Sequence, residues 1–190
     1  IEALKDIENI NLIVEPNTGR LYRIIKGIKK AKNEICLIFV ADDDFIGVDI
    51  NLLANELIDS KTQGLNIMKK HRENSSYLEK WWIAYTDVVN SSFSNTKILG
   101  RPCITYKKLH EKIKSVPKDD FAGDDTYLAK ELDKLPYEIN YGVSKQTIFR
   151  KSTETNFKSI VKRHLEYGLG DRKSSHKLTD YIDYLFHYII

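Results

Sequence analysis

Apolar positions change their period along the chain, and each change marks an element. Asn9-Ile10-Asn11-Leu12-Ile13-Val14-Glu15 has strand length and is broken by Pro16-Asn17-Thr18-Gly19. From Arg20 the apolar residues Leu21, Ile24, Ile25 and Ile28 recur at helical spacing, with Lys26, Lys29, Lys30 and Lys32 on the other side. Asn33-Glu34 leads into Ile35-Cys36-Leu37-Ile38-Phe39-Val40-Ala41, a continuous apolar run that reads as a buried strand. Strand, helix, strand predicts a βαβ unit with parallel strands. That apolar run stops at Asp42-Asp43-Asp44, then Phe45-Ile46-Gly47.

A helix follows with Val48, Leu52, Leu53 and Leu57 inward, and Leu65-Asn66-Ile67-Met68 is a short strand candidate. Ser75 or Ser76 is placed to cap a helix from Tyr77 to Asn90. Trp81, Trp82 and Tyr85 on it serve either the core or a wall for a sugar or lipid chain. After a polar connector, Lys97 to Tyr106 is strand-like with Gly and Pro interruptions, and Lys107 to Ile113 forms a short helix. Pro117 to Asp125 is an acidic, turn-rich loop feeding a helix, Thr126 to Leu135, whose inward residues are Leu128 and Leu132. Tyr137 to Tyr141 and Gln146 to Arg150 are two predicted strands. A last amphipathic helix sets Phe157, Ile160, Val161 and Leu165 against Lys158, Lys162 and Arg163, and stops at Tyr167-Gly168-Leu169-Gly170. Leu178 to Ile190 is aromatic and apolar, either a packed helix or an interfacial one.

Composition narrows the classes. The 190 residues fit one domain, and 30 basic against 27 acidic residues leave +3, too balanced to argue for nucleic acid. No run of roughly 18 or more apolar residues is present, so no transmembrane helix is predicted within the chain. Charges at Glu2, Lys5 and Asp6 do not fit a signal peptide. Cys36 and Cys103 read as small core residues in a reducing compartment. His71, His110, His164, His176 and His187 lack metal-ligand spacing. The chain opens on Ile almost directly before a strand, and is expected to be part of a longer polypeptide.

Two acidic clusters carry the candidate chemistry, Asp42-Asp43-Asp44 and Asp124-Asp125. Three successive aspartates repel one another, and a divalent cation carrying phosphates would neutralise them. The plain alternatives are a solvated Asp-rich turn for the first cluster and helix-dipole stabilisation for the second. One cluster holding a metal and the other supplying a base suits sugar transfer from a nucleotide diphosphate. Arg20, Lys162 and Arg163 are candidates to hold phosphate.

The order of these motifs resembles that of family 2 glycosyltransferases, which have the GT-A fold. The resemblance runs through Asn17-Thr18-Gly19-Arg20, Gly27-Ile28-Lys29-Lys30-Ala31, and Val40-Ala41-Asp42-Asp43-Asp44. It continues in Gly100-Arg101-Pro102, in Gly123-Asp124-Asp125-Thr126-Tyr127-Leu128, and in Lys162-Arg163-His164-Leu165-Glu166-Tyr167-Gly168. It covers about residues 10–170. It implies a GT-A-like, Rossmann-like α/β domain over residues 1–170, with a mostly parallel sheet flanked by helices and incomplete at its N-terminus. Residues 171–190 would be a C-terminal aromatic helix, packed or membrane-proximal.

The resemblance also implies roles. Asp42 and Asp44 match the Asp-x-Asp metal pair, with Mg²⁺ or Mn²⁺ as cofactor, and Asp43 stands between them at the diphosphate. Asp125 matches the catalytic base, and Asp124 stands where Glu is usual. Arg20 falls near the nucleotide, and Lys162 and Arg163 near its phosphates. Gly100, Arg101 and Trp82 are assigned to the acceptor. The implied partners are a UDP- or GDP-linked sugar donor and a glycan or lipid-linked acceptor, with no nucleic acid. The implied location is the cytoplasm, at the membrane face if the C-terminal segment makes peripheral contact. Three departures stand beside these roles. The first nucleotide-gripping strands are missing. Phe149-Arg150-Lys151 stands where many members have a metal-binding His, and a positive side chain there could replace metal charge. No Gln-x-x-Arg-Trp is present. A metal-dependent nucleotidyltransferase and a noncatalytic transferase-like binding module are the competing readings.

Overall fold

The computed structural model describes residues 15, 17–40, 43–92, 102–119, 124–150, 156–163 and 165, with the side chains of 86–92, 124 and 126 excepted. Its helices are α1 (Arg20–Lys30), α2 (Ile50–Ser60), α3 (Tyr77–Ser92), α4 (Lys107–Glu111) and α5 (Asp124–Leu132), and residues 157–163 form a further helical run. Its strands are β1 (Ile35–Ile38), β2 (Asp43–Asp44), β3 (Gly64–Lys70), β4 (Cys103–Tyr106) and β5 (Tyr141–Arg150). They form one open sheet in the order β1-β4-β3-β5-β2.

The molecule is therefore α/β, but the sheet is mixed. Among the described strands only β3 and β5 pair in parallel; β1 with β4, β3 with β4 and β2 with β5 are antiparallel. This corrects the expected mostly parallel sheet. The reason is the position of β4, which enters between β1 and β3 and runs against both. The pairings still leave β1, β3 and β5 pointing the same way. The first strand predicted for the βαβ unit lies outside the described residues except for Glu15, as does the C-terminal helix assigned to 171–190.

Alternation along the strands sends side chains to two apolar layers. Cys36 and Ile38 of β1, Cys103 of β4 and Tyr141 of β5 meet Leu21, Ile25 and Ile28 of α1, Leu109 of α4, and Leu128 and Leu132 of α5. On the other face Leu65 and Ile67 of β3, Ile104 of β4 and Ile148 of β5 meet Leu53 and Leu57 of α2. Each fully buried Leu of this kind contributes on the order of 1.5–3 kcal/mol.

Helix ends follow their capping residues. Asp49 caps α2, accepting hydrogen bonds from the amides of Asn51 and Leu52 at 2.9 and 3.0 Å. Ser76 and Glu79 form a capping box at α3: Glu79 Oε2 accepts from the Ser76 amide (2.7 Å), and Ser76 Oγ from the Glu79 amide (3.3 Å). Asn17 takes a left-handed φ of 59° in the turn before α1, a conformation that Asn tolerates well.

Three further expectations change. Leu52 is exposed, because the inward stripe of α2 is Leu53, Ala54 and Leu57. The two strands predicted around 137–150 are one strand beginning at Tyr141. Asn66 faces Val143 and Met68 faces Thr147, so β5 takes four residues where β3 takes two. In the extra segment Ser144 Oγ donates to Glu56 Oε2 at 2.5 Å, and the Gln146 amide donates to Ser144 Oγ at 3.0 Å. The Gln146 side chain also bonds both backbone groups of Asp49, at 3.0 and 2.9 Å. This bulge fastens β5 to α2. In the helical run 157–163, Ile160 is buried, while Phe157, Val161 and also Leu165 are exposed. Among the described residues no helix is long and apolar enough to cross a membrane.

Candidate active site at the carboxyl edge of the sheet

The common direction of β1, β3 and β5 sends their carboxyl ends to one edge, where open α/β sheets bind ligands. β1 ends at Ile38, just before the acidic triplet; β3 ends at Lys70, before His71-Arg72; β5 ends at Arg150. α1 returns through residues 31–34 into β1, so its first turn, with Arg20, lies at the same edge. The Gly19 amide donates to the Lys118 carbonyl, which joins the turn before α1 to the acidic loop before α5. Asp124 and Asp125 occupy the first turn of α5. Because α5 leads through 133–140 into the start of β5, that first turn also faces the carboxyl edge.

Asp43 and Asp44 form β2 and hydrogen-bond antiparallel to the end of β5, with Asp43 opposite Arg150 and Asp44 opposite Phe149. Their side chains have different surroundings. The Asp43 side chain is 0% exposed and Arg150 22%. Arg150 Nε donates to Asp43 Oδ1 at 2.8 Å, with Arg150 Nη2 also 2.8 Å from that oxygen, and the Val40 amide donates to Asp43 Oδ2 at 2.9 Å. Both oxygens of Asp43 thus have protein partners, and the carboxylate serves the fold. Asp44 is 21% exposed, and its Oδ2 accepts from Nη2 of Arg72, 52% exposed, at 2.6 Å. Its Oδ1 accepts from the Ile46 amide at 3.1 Å, closing the turn that continues through Gly47 at φ 80°.

These contacts bear on a metal. Asp44 fits a hard-cation ligand: it is an oxygen donor near the surface, and its present counter-charge is an exposed guanidinium that a cation could replace. Asp43 does not fit, since both oxygens are committed. No group of three or more His, Cys, Asp or Glu close enough to hold a metal occurs among the described residues. Asp42, the other expected ligand, lies outside them, as do Gly100 and Arg101.

Of the remaining expected residues, Asp125 is half-buried, and the described part of Asp124 is its place at the start of α5. Lys162 is exposed and Arg163 half-buried on the helical run after β5. Trp82 is turned inward, 6% exposed, which counts against a direct acceptor contact; its neighbour Trp81 is 44% exposed. Trp81 stacks on Tyr85 with 5.5 Å between centroids and 12° between planes. Residues one position apart on a helix differ by about 100° in direction, so adjacent tryptophans necessarily face different ways.

Sequence reasoning missed Arg72, for which the His71-Arg72 pair after a strand was the one available signal. It noted Arg150 as a cation near the diphosphate without finding its partner.

Other titratable groups are interior. His110 is fully buried; its Nε2 lies 3.3 Å from Thr105 Oγ1, whose hydroxyl donates to the Gln63 carbonyl at 2.9 Å. The Thr105 oxygen is left to accept, so Nε2 carries the proton. Burial pushes the His110 pKa down to about 4, keeping the ring neutral, and Nδ1 has no partner among the described residues. Burial likewise raises the Tyr141 hydroxyl well above its ordinary range, with Cys103, Asp133 and Tyr137 adding to the effect. Cys36 and Cys103 are free and buried.

No protein-family model matches this sequence, and a search of characterised proteins finds no match.

Proposed function

We propose that the chain is a GT-A-like glycosyltransferase domain of the family 2 type. The observation that best supports this reading is the convergence of three strand ends, β2 and the first turns of α1 and α5 on one sheet edge. That edge is rich in the residue types the reaction needs. Asp125 takes the proton of the acceptor hydroxyl as its oxygen attacks the anomeric carbon of the donor. The new C–O bond forms as the bond from that carbon to the diphosphate oxygen breaks, and the nucleoside diphosphate leaves with the electron pair. Arg20, Lys162 and Arg163 bind donor phosphates, and Asp124 supports the base. Asp42 and Asp44 would hold Mg²⁺ or Mn²⁺, which when bound neutralises charge developing on the diphosphate. Asp43 acts from beneath, through Arg150, as a positioning residue. The acceptor, a glycan or lipid-linked sugar, meets Gly100, Arg101 and the α3 aromatic face. The domain then works in the cytoplasm, beside the membrane if the acceptor is lipid-linked.

The test is calorimetric titration of UDP and of GDP in the presence of Mn²⁺, followed by donor-hydrolysis assays with UDP- and GDP-sugars. Binding of one nucleotide and hydrolysis lost in Asp125→Ala are expected. Hydrolysis surviving in Asp125→Ala removes the base assignment. A noncatalytic binding module is the second reading, favoured by the neutralisation of both described carboxylates of the triplet by arginines. It predicts no nucleotide binding with or without Mn²⁺.

A further inference from the structure

We infer that the outer face of α1, together with the segment 107–118 beside it, is a docking surface for an anionic lipid bilayer. The two run antiparallel along the same side of the sheet. Lys107 Nζ donates to the Ala31 carbonyl at 2.8 Å, Lys29 Nζ to the Ile113 carbonyl at 2.8 Å, and the Gly19 amide to the Lys118 carbonyl. Leu21, Ile25 and Ile28 of one and Leu109 and Ile113 of the other enter the same apolar layer, so their polar side chains share the outer face. Eleven of the chain's 30 Lys and Arg fall in residues 20–34 and 107–118, against two of its 27 Asp and Glu. These segments carry +9 in a chain of +3, which leaves −6 on the remainder.

Pairing within the face is as uneven as the charge. Lys26 and Lys107, both half-buried, have carboxylate partners in Glu15 and Glu111. Eight cations are exposed. Arg23, Lys29, Lys30 and Lys32 lie on α1 and its exit; Lys108, Lys112, Lys114 and Lys118 lie on the second segment. No carboxylate among the described residues pairs with any of the eight. The ammonium groups that do hydrogen-bond take neutral partners, Lys29 a carbonyl and Lys112 the Tyr137 hydroxyl at 2.7 Å. Like charges gathered on one face repel one another, and an anionic surface relieves that repulsion. Roughly four to eight basic residues are enough for electrostatic adsorption to anionic lipid. Nucleic acid suits the face less well. Seven of the eight are lysines, compact point charges without the fork that reads bases. The rings of Tyr106 and Tyr137 each have an ammonium over them, Lys108 at 5.2 Å and Lys112 at 4.4 Å, which takes up a face that a base would stack on. Side by side, the two segments are broader than the roughly 12 Å of a major groove. α1 runs from the carboxyl edge of the sheet to its amino edge, so a bilayer on this face leaves the candidate site opening along the membrane plane. None of the eight has a part in the proposed transfer, so adsorption and nucleotide binding can each fail without the other.

The experiment is sedimentation of the full chain with vesicles of phosphatidylcholine alone and of equal parts phosphatidylcholine and phosphatidylserine, at low and high salt. A labelled DNA duplex is titrated in parallel. Two charge-matched variants are compared with wild type, each checked for folding by circular dichroism melting. Lys30→Gln with Lys114→Gln removes two cations from the face. Lys61→Gln with Lys145→Gln removes two exposed lysines from the α2 side of the sheet. Binding to the phosphatidylserine vesicles alone, lost at high salt, is expected. The face variant should bind about twenty- to thirtyfold more weakly, about fivefold for each charge removed, and the control within about twofold of wild type. Equal weakening in both variants would assign the effect to net charge. Binding to phosphatidylcholine alone, or binding that survives high salt, would assign it to insertion of another segment. Tighter binding to the duplex than to vesicles would make the partner a nucleic acid. Any of these results, or no binding to either vesicle, overturns the bilayer assignment.

Discussion

Asp43 and Asp44 are neighbours in sequence, both carboxylates, both on β2, and both paired with an arginine. Yet the Asp43 carboxylate is sealed, whereas Asp44 and its arginine both reach solvent. Burial decides which job each can do. A buried carboxylate loses its hydration and must recover that loss from fixed donors, which Arg150 and the Val40 amide supply. A carboxylate at the surface keeps water as an alternative, so its partner contributes little stability and can leave. β2 therefore combines an anchor, which ties it to β5, with a carboxylate that the anchor holds half-open to solvent at the sheet edge.

The largest expected effect tests the anchor. Arg150→Ala leaves Asp43 charged and enclosed, and should cost about 3–5 kcal/mol in urea unfolding. Asp43→Ala should cost less, because Arg150 is partly exposed and can turn its charge to water. Replacing both with apolar residues of similar volume should recover most of the loss. A cost for Arg150→Ala below about 1 kcal/mol would put both pairs in the surface class and end the distinction.

His110 sharpens the contrast, since it is buried with no charged partner among the described residues and stays neutral. Its imidazole has a pKa of about 4 in the folded protein against 6.5 unfolded. Between those values the unfolded chain binds a proton that the folded chain does not. Stability from this group is complete above pH 6.5, falls as the pH drops toward 4, and is level below that. The loss should reach up to about 3 kcal/mol. His110→Gln should show a shallower dependence in this window, measured by denaturant midpoints at each pH. An unchanged slope would mean that the ring is not sealed.

The next effect concerns what holds β5 in register for Arg150. Asp49 caps α2 with its side chain while Gln146 grips its backbone. Asp49→Ala should cost about 1 kcal/mol, the usual value of an N-cap. If β5 depends on α2 for its position, Asp49→Ala and Arg150→Ala should combine non-additively in a double-mutant cycle. Additivity would make the anchor independent of the bulge.

How much of this was legible in the sequence depended on distance along the chain. Short-range patterns carried through: Leu21, Ile25 and Ile28 inward on α1, Leu128 and Leu132 on α5, and a serine cap at the start of α3, expected at Ser75 or Ser76 and found at Ser76. Leu65 to Met68 read as a strand, but nothing local marked it as the strand between β4 and β5. The β5 bulge depends on Glu56, 88 residues from Ser144, so two strands were expected where one runs through. Phe157, Val161 and Leu165 share a period with Ile160, and periodicity alone could not separate the one that is buried. The candidate site divides in the same way. Its acidic residues were visible as clusters, whereas Arg72 is 28 residues from Asp44, and a surface pairing of that kind leaves no periodic trace.

The smallest expected stability change is the one that bears most directly on the proposed function. Asp44→Ala removes an exposed ion pair and one hydrogen bond to the Ile46 amide. It should cost about 0.5 kcal/mol, near the middle of the range for surface pairs. Under the transferase reading the same substitution should abolish Mn²⁺-dependent nucleotide binding in calorimetry, while the melting temperature barely moves. A large stability loss would mean that Asp44 is a second anchor, and that the triplet builds the edge without serving a ligand. Intact nucleotide binding with unchanged stability would move the ligand role away from Asp44. The pairing of small structural cost with complete loss of binding is what separates a functional carboxylate from Asp43, its buried neighbour.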